Sequence, residues 1–394
     1  MKQETDKENN APQVEFDEND LRFNAATAGE ESYKLKARLL PHVKSLRRTL
    51  RRRRKLALGA LIVSAFYAAA ALAGFLAPYD YRTQRRSEPL APPTAIHFRD
   101  ANGVWSLRPF IRTRRLADPL ERRYVEDGGE AYPIVFFTKG FPYNFLGLFA
   151  TNRHLFGVRA EGKSSPPRLN LLGTDELGRD RFSRLLMAAR FSLVVGPLGM
   201  ILASLLGILL GCLAGYGGRF VDALLMRAAD VMMALPTLIV VLAARAAFPL
   251  ELPPMRAALL LVSIFVVVGW AEMARLARGV VAGLRQREFV LAAQSIGLSE
   301  WRVLFRHILP NAMRPLIVQM TVTLPAFLLT ETALSFLGVG VQEPEPSWGN
   351  MLAAANDISL LGQQPLTLLS PAIAIFLFVL GVRLLSDGLR TKSV

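Results

Sequence analysis

The apolar run Leu56–Ala77 follows directly on Arg51-Arg52-Arg53-Arg54-Lys55, and this junction constrains the chain more than any other feature. The run is 22 residues long, and about 20 suffice to cross a bilayer as a helix. A basic block against such a run reads as a cytoplasmic flank, held by the positive-inside bias and by anionic lipid. Residues 34–55 carry eleven bases and no acid, whereas residues 1–31 carry nine acids and three bases. The net charge of +15 therefore has a membrane explanation. A nucleic-acid arm would interleave aromatic rings for base stacking, and none lies between Lys44 and Lys55. A cleaved signal peptide would have a shorter apolar run and a shorter region ahead of it. The acidic segment before the basic block reads as a solvated tail.

Five further apolar segments follow, roughly Phe191–Ala214, Ala223–Phe248, Met255–Ala274, Pro315–Val339 and Leu366–Leu385. Each is long enough for a tilted transmembrane helix, and none shows the strict alternation of a barrel strand. With the N-terminus inside, six spans return the C-terminus to the cytoplasm. The loop between the fourth and fifth spans carries Arg275, Arg278, Arg285, Arg287, Arg302 and Arg306, and the tail carries Arg390 and Lys392. The loop between the fifth and sixth holds Glu343, Glu345 and Asp357 and no base. That asymmetry agrees with both termini being cytoplasmic.

Residues 78–183 interrupt the rhythm of spans. They hold 17 bases and 12 acids, and long loops are exempt from the charge rule. Trp105–Arg112 and Tyr132–Phe137 alternate or are rich in aromatics, as strands are. Gly128-Gly129 and Lys139-Gly140-Phe141-Pro142 read as turns. Phe141, Tyr143, Phe145, Leu146 and Phe149 are the expected core of a small, mostly β domain outside the membrane. The chain's one cysteine, Cys212, offers it no disulfide, and reads as a packed, inert thiol.

Enzyme chemistry is nearly absent from the sequence. There is no G-x-x-x-x-G-K-[ST] phosphate loop, no zinc spacing among His42, His97, His154 and His307, and neither G-x-S-x-G nor H-E-x-x-H. Energy for any work must come from a gradient or a partner.

The most informative stretch runs from Glu288 to Asn311. Residues 288–296 are good helix material, and Gly297 can end that helix with positive φ. Ser299 is placed to cap a second helix from Glu300, with Arg302 as its third residue, and Pro310 is expected to break or kink the chain before the fifth span. Two short helices at an angle would then display Phe289, Ala292, Ala293, Trp301 and Phe305. Small residues beside aromatics suit a docking surface for a partner, but an interfacial helix lying on lipid fits the same pattern.

Ala292-Ala293, Gly297 and Leu309-Pro310 at this spacing resemble the "EAA" loop of ABC-importer permeases. Leu172-Gly-Thr-Asp-Glu-Leu-Gly-Arg-Asp180 with Ser183-Arg-Leu-Leu, His307-Ile-Leu-Pro-Asn311, Glu331-x-Ala-Leu-Ser-Phe-Leu-Gly338, Pro346-Ser-Trp-Gly-Asn-Met351 and Gly388-Leu-Arg390 are similar to stretches of the dipeptide/oligopeptide/nickel subfamily, specifically its second, C-type permease. The resemblance covers about residues 56–78 and 170–392. It implies the type I importer fold, and with the spans and strand patterns read above the expectation is an all-α polytopic protein of six transmembrane helices, with a small, mostly β extracytoplasmic domain between helices 1 and 2. The expected division of the chain is a cytoplasmic tail (1–55), a first helix (56–77), the outer domain (78–183) and a permease core (184–394) with a cytoplasmic coupling loop at 275–314.

The implied partners are a second permease, two cytoplasmic ATPases that carry ATP and Mg, and an extracytoplasmic binding protein. The implied place is the bacterial inner membrane, and the implied cargo is peptides, with nickel or another small solute as the alternative. Glu288, Phe289, Ala292, Ala293, Gly297, Trp301, Leu309 and Pro310 take the coupling role by this resemblance. The motif's glutamate position is Leu291 here, and the outer domain is longer than the subfamily leads one to expect.

Intramembrane polar residues and prolines are the candidate pathway or gate. Glu331 lies 16 residues into the fifth span, about 24 Å along a helix, and either lines an outer gate or pairs with a base such as Arg245. Asp230 can pair with Arg227 at i and i+3. Pro236 and Pro325 can kink the third and fifth spans. Asp175, Arg179 and Asp180 read as a loop-and-cap network. A gradient-driven transporter would need a relay of several acids, and the spans offer only Asp230, Glu331 and Glu272 near an end. A membrane-anchored scaffold would not need the EAA-like loop.

Overall fold

The computed structural model describes residues 54–99, 105–120, 122–159, 167–356 and 358–389. Of the tail expected over residues 1–55, residues 1–53 lie outside the described residues, as do Asp357, Arg390 and Lys392. Leu56–Val394 clusters as one compact unit.

Among the described residues, five helices are long and apolar enough to cross a membrane, or six if one bent pair counts as a span. α1 (Arg54–Ala71) is followed by the single turn α2 (Ala73–Leu76). α3 (Arg181–Tyr216) runs for 36 residues and α6 (Pro254–Arg285) for 32. Their closest approach uses Gly207, Gly211 and Gly215, spaced at i and i+4 on one face of α3. A Cβ on Gly207 would meet the Trp270 carbonyl at 2.5 Å, and one on Gly215 the Arg278 carbonyl at 2.9 Å. Small residues at this spacing let two membrane helices pack backbone to backbone.

Between them lie α4 (Arg219–Ala234) and α5 (Thr237–Ala246), which meet at 88°. The continuous third span expected over Ala223–Phe248 is thus a broken one. Pro236 is the reason: it lacks an N–H and pushes Leu235 to an extended conformation (φ −90°, ψ 138°).

α7 (Glu288–Ser295) and α8 (Glu300–Val303) precede α9 (Leu309–Phe336). Pro310 does not break this run, which is helical from Glu300 to Phe336. Residues Leu304–Ile308 form a π-helical turn, and the Leu309 N–H reaches back to the Leu304 carbonyl. The extra residue in that turn accommodates the ring at the start of α9. Pro325 lies inside α9, which continues through it. The chain ends with α10 (Trp348–Ala353), α11 (Ile358–Gln363) and α12 (Pro365–Leu389). α1 lies along α12, where Gly381 faces Ile62 and Gly388 faces Leu56.

The segment between α2 and α3 holds a four-stranded antiparallel sheet in the order β1-β2-β3-β4: β1 (His97–Arg99), β2 (Trp105–Asp118), β3 (Arg123–Phe145) and β4 (Phe149–Val158). Both expected turns lie inside β3. Arg112 pairs with Ala131 and Arg114 with Glu126, so residues 127–130, including Gly128-Gly129, bulge out of register. Lys139 pairs with Arg153 and Tyr143 with Thr151, which leaves Gly140-Phe141-Pro142 as a second bulge. Glycine and proline next to a ladder disrupt pairing locally without reversing the chain.

The expected aromatic core of this domain is also corrected. The sheet buries Ile111, Tyr132 and Ile134 with Leu169. Leu146 and Phe149 are exposed at the β3–β4 tip. Phe141 and Tyr143 pack instead on His154, with ring centroids 4.5 and 5.1 Å away. The His154 imidazole lies between the carbonyls of Gly74 and Phe141, at 2.9 and 3.0 Å, and ties α2 to the sheet.

Candidate functional site

The connection from α6 to α9 is built on a buried root. On α7, Val290 and Ala293 lie one helical turn apart and face inward. They join a core with Ile208 and Cys212 of α3, Ala277 and Val281 of α6, and Val303, Leu304 and Ile308 beyond. Ala293 is only 5% exposed, so it is a packing residue and not part of a displayed face, contrary to the sequence expectation.

Gly297 ends α7 as expected, with φ +80°. Its N–H donates to the Gln294 carbonyl at 2.9 Å, and the Leu298 N–H donates to the Ala293 carbonyl at 3.3 Å. This pair of bonds is the Schellman arrangement, and Leu298 packs on the same core as Ala293. Ser299 stands at the start of α8, but its hydroxyl makes no capping bond.

The outer face of the connection is apolar and exposed. Trp301 and Phe305 stack with centroids 6.0 Å apart and planes 17° apart, and they are 62% and 56% exposed. Phe289, Leu291 and Ile296 are exposed as well, as are Glu288 and Ala292. Leu291, at the glutamate position of the motif, therefore adds an apolar side chain to this face. Leu309 is half-buried and Pro310 exposed. The support beneath is held by ion pairs between α4 and α6. Asp222 accepts from Arg278 at 3.0 and 2.6 Å, and Asp230 pairs with Arg275. Asp230 was expected to pair with Arg227, three residues away, but α4 packs along α6, where Arg275 takes it.

Glu331 is fully buried and makes no pair with Arg245. Its carboxylate accepts from the Ser335 hydroxyl at 2.9 Å, with Ser192 and Thr332 beside it. Arg245 turns its guanidinium to the carbonyls of Phe248, Pro249 and Leu250 beyond the end of α5. Glu331 belongs to the anchorage of α9, near α10. There Ser347 and Asn350 form a capping box and the Trp348 N–H donates to Ser192 at 3.2 Å.

At the N-terminus of α3, Asp175, Arg179 and Asp180 form the expected cap network. Asp180 accepts from the Ser183 N–H at 2.8 Å and from its hydroxyl at 2.6 Å. Asp175 accepts from the Arg179 Nε at 2.6 Å, while Arg179 and Arg184 donate to Glu343 at 2.5 and 2.8 Å. Glu345 accepts from Tyr81 and pairs with Arg82. The two glutamates of the α9–α10 connection are thus tied to α3 and to the segment before the sheet.

Burial pushes the Asp180 carboxyl up from 3.8 to about 6, against the opposing pull of the Ser183 bonds. The folded state then holds a proton more tightly than the unfolded chain, so this group's contribution to stability falls as pH rises from about 4 to about 6. The thermal midpoint in detergent is expected to be higher at pH 5 than at pH 7 for this contribution. Asp180→Asn, which keeps an equally good cap, is expected to flatten that difference. An unchanged pH profile in the variant would show that Asp180 does not titrate in this window.

Residues 207–392 match the family described as binding-protein-dependent transport system inner membrane component, and residues 44–93 match the N-terminal TM domain of oligopeptide transport permease C. The oligopeptide transport system permease protein OppC of Bacillus subtilis (strain 168) is 38% identical over 225 residues, 57% of this chain and 71% of the relative. The chain belongs to this permease family.

The dipeptide transport system permease protein DppC of Alkalihalophilus pseudofirmus is 39% identical over 225 residues, covering 57% of this chain and 71% of its own. The glutathione transport system permease protein GsiD of Pectobacterium atrosepticum is 38% identical, covering 57% and 72%. Within the permease family match lie α4, α5, α6 and the whole α7–α9 connection. The sheet, residues 97–158, falls between the two matched stretches.

Two things escaped the sequence reading. One is Val290, whose burial only the pairing with Ala293 reveals. The other is a cavity of about 250 Å3 at the α4–α5 break, lined in part by Met232, Met233, Phe327, Thr323 and Glu272. Pro236 marks the break and Pro325 lies on the wall-forming helix α9. Glu272, expected near a helix end, stands well inside α6, which continues to Arg285.

Proposed function

We propose that this permease imports peptides, as one of two transmembrane subunits driven by two cytoplasmic ATPases and supplied by an extracytoplasmic binding protein. In this reading α4 and α5 count as one broken span, which gives the six spans of the type I importer fold. Both termini are cytoplasmic, residues 1–55 are a cytoplasmic tail, and residues 78–183 stand outside as a small, mostly β domain. ATP and Mg belong to the ATPases. Residues 275–314 form the coupling region, in which Glu288, Phe289, Ala292, Trp301 and Phe305 meet the ATPase. Ala293, Gly297, Leu309 and Pro310 hold that surface in shape.

The observation that carries the reading is the exposed Trp301–Phe305 stack on a rigid, buried root. A surface that must transmit force needs both exposed anchors and a stiff connection to the helices behind it. Closure of the ATPases on ATP then selects one of two packings of the spans. The named relatives support peptides as cargo. The test is uptake of labelled dialanine by vesicles holding the complete complex. Uptake is expected to require ATP and the binding protein together. Failure of any ATPase to co-purify with this chain under gentle extraction overturns the proposal.

A further inference from the structure

The cavity at the α4–α5 break has an exposed acidic side chain, Glu272, on its wall. Its wall includes Met232, Met233 and Phe327, the hydroxyls of Thr323 and Thr330, and the carboxylate of Glu272. Glu272 lies 18 residues from Pro254 and 13 from Arg285 on α6, which is about 27 Å and about 20 Å along the helix. Its Oε1 accepts from the Gln319 Nε2 of α9 at 2.7 Å. Gln319 is neutral, and among the described residues no other charged side chain lines the cavity. The two arginines further along α6 are engaged elsewhere, Arg275 by Asp230 and Arg278 by Asp222.

Glu272 is exposed near the cytoplasmic end of the span expected over Met255–Ala274, and an ionisable group lining a cavity on a membrane helix can mark the route of a substrate. The bend at Leu235-Pro236 is a second sign, since broken helices inside a membrane are tolerated where they border a cavity or are buried in protein. The volume limits what enters. Sites for whole small molecules are about 300–1,000 Å3, so about 250 Å3 takes one end of a cargo molecule. The threonine hydroxyls and the carboxylate suit a primary ammonium, and the methionines and Phe327 suit the apolar part beside it.

We propose that this cavity is a subsite of the translocation pathway, in which Glu272, oriented by Gln319, receives the cationic amino end of the cargo. The proposal rests on the import function argued above. The alternative is a structural hydrogen bond joining α6 to α9, facing lipid.

The test places one thiol in the cavity of the assembled complex, Thr330→Cys with Cys212→Ala, and compares its modification by a cationic and an anionic methanethiosulfonate. Both reagents are expected to react, and Glu272→Gln is expected to lower the cation-to-anion rate ratio about tenfold, since a cleft of one sign concentrates counter-ions by at least that factor. Dialanine delivered by the binding protein during ATP turnover is expected to slow modification with Glu272 present and not with Glu272→Gln. Glutamine retains the oxygen that Gln319 bonds, so a purely structural role leaves the protection by dialanine unchanged. A thiol inert to both reagents, or a ratio unmoved by Glu272→Gln, or protection that survives the substitution, overturns the proposal. The thiol rates can also be read on the permease without its ATPases, so a failure of the import reading is distinguishable from a failure of this subsite.

Discussion

Trp301→Ala combined with Phe305→Ala is expected to release the ATPase while leaving the permease folded. Aromatic anchors at a protein interface are worth about 2 kcal/mol or more each when truncated. Even with incomplete additivity between touching rings, affinity falls on the order of 100-fold or more. The two rings contribute little to the chain's own stability, because both are mostly exposed and substitutions at such positions shift stability by about 0.5 kcal/mol or less. The measurements are co-purification of ATPase subunits in a titration and the thermal midpoint of the permease in the same detergent. Wild-type levels of bound ATPase would sink the docking surface. A collapsed midpoint would mean that the rings hold the fold, which their exposure argues against.

What the sequence made legible were features whose cause is local. Gly297 ends α7 because a positive φ is nearly free only for glycine, and that requirement is visible without knowing any neighbour. Asp180 caps α3 because an Asp three residues before Ser183 can reach its N–H within one turn. The presence of the membrane helices follows from runs of apolar residues for the same reason, but their ends do not: α3 begins at Arg181, ahead of Phe191, and α6 runs past Ala274 to Arg285. Pro236 likewise announces a break, though nothing local fixes its angle of 88°.

The misses share the opposite cause, a partner far away in the chain. Asp230 has Arg227 within reach on its own helix and takes Arg275 instead, 45 residues on. Glu331 has Ser192 of α3 beside it instead of Arg245 because α9 packs on α3, and takes its hydrogen bond from Ser335 one turn on. Gly128-Gly129 and Gly140-Phe141-Pro142 specify flexible or kinked backbone, and a bulge uses that as well as a turn does. Only the strand paired alongside decides which, and β2 and β4 continue past both. The aromatic core was misplaced for a related reason, since a two-residue shift in register exchanges which rings lie at the hairpin tip. In the connection from α6 to α9 the sequence did not show the division into root and surface. That division depends on the rotation of α7 about its axis, which the core behind it sets.

The neighbouring alanines of α7 should therefore respond in opposite ways to the same change. Ala292 is exposed and Ala293 is buried against α3 and α6. Ala293→Asp puts a carboxylate among Ile208, Val281 and Val303 with no base in that cluster, and it does so in the last turn of a helix, where negative charge is unfavourable. An uncompensated buried charge costs about 3–5 kcal/mol, a large part of the stability of an ordinary domain. The expected result is a permease that is poorly recovered from the membrane or that melts far below the wild type. Ala292→Asp is expected to leave the midpoint within the range of a surface change, about 0.5 kcal/mol, and to weaken ATPase binding by placing a charge against an apolar face. Measuring the midpoint and ATPase retention for both variants separates the two roles. If Ala292→Asp is the variant that unfolds, α7 is rotated relative to its root. If neither variant loses ATPase, this helix is not where the motor grips the permease.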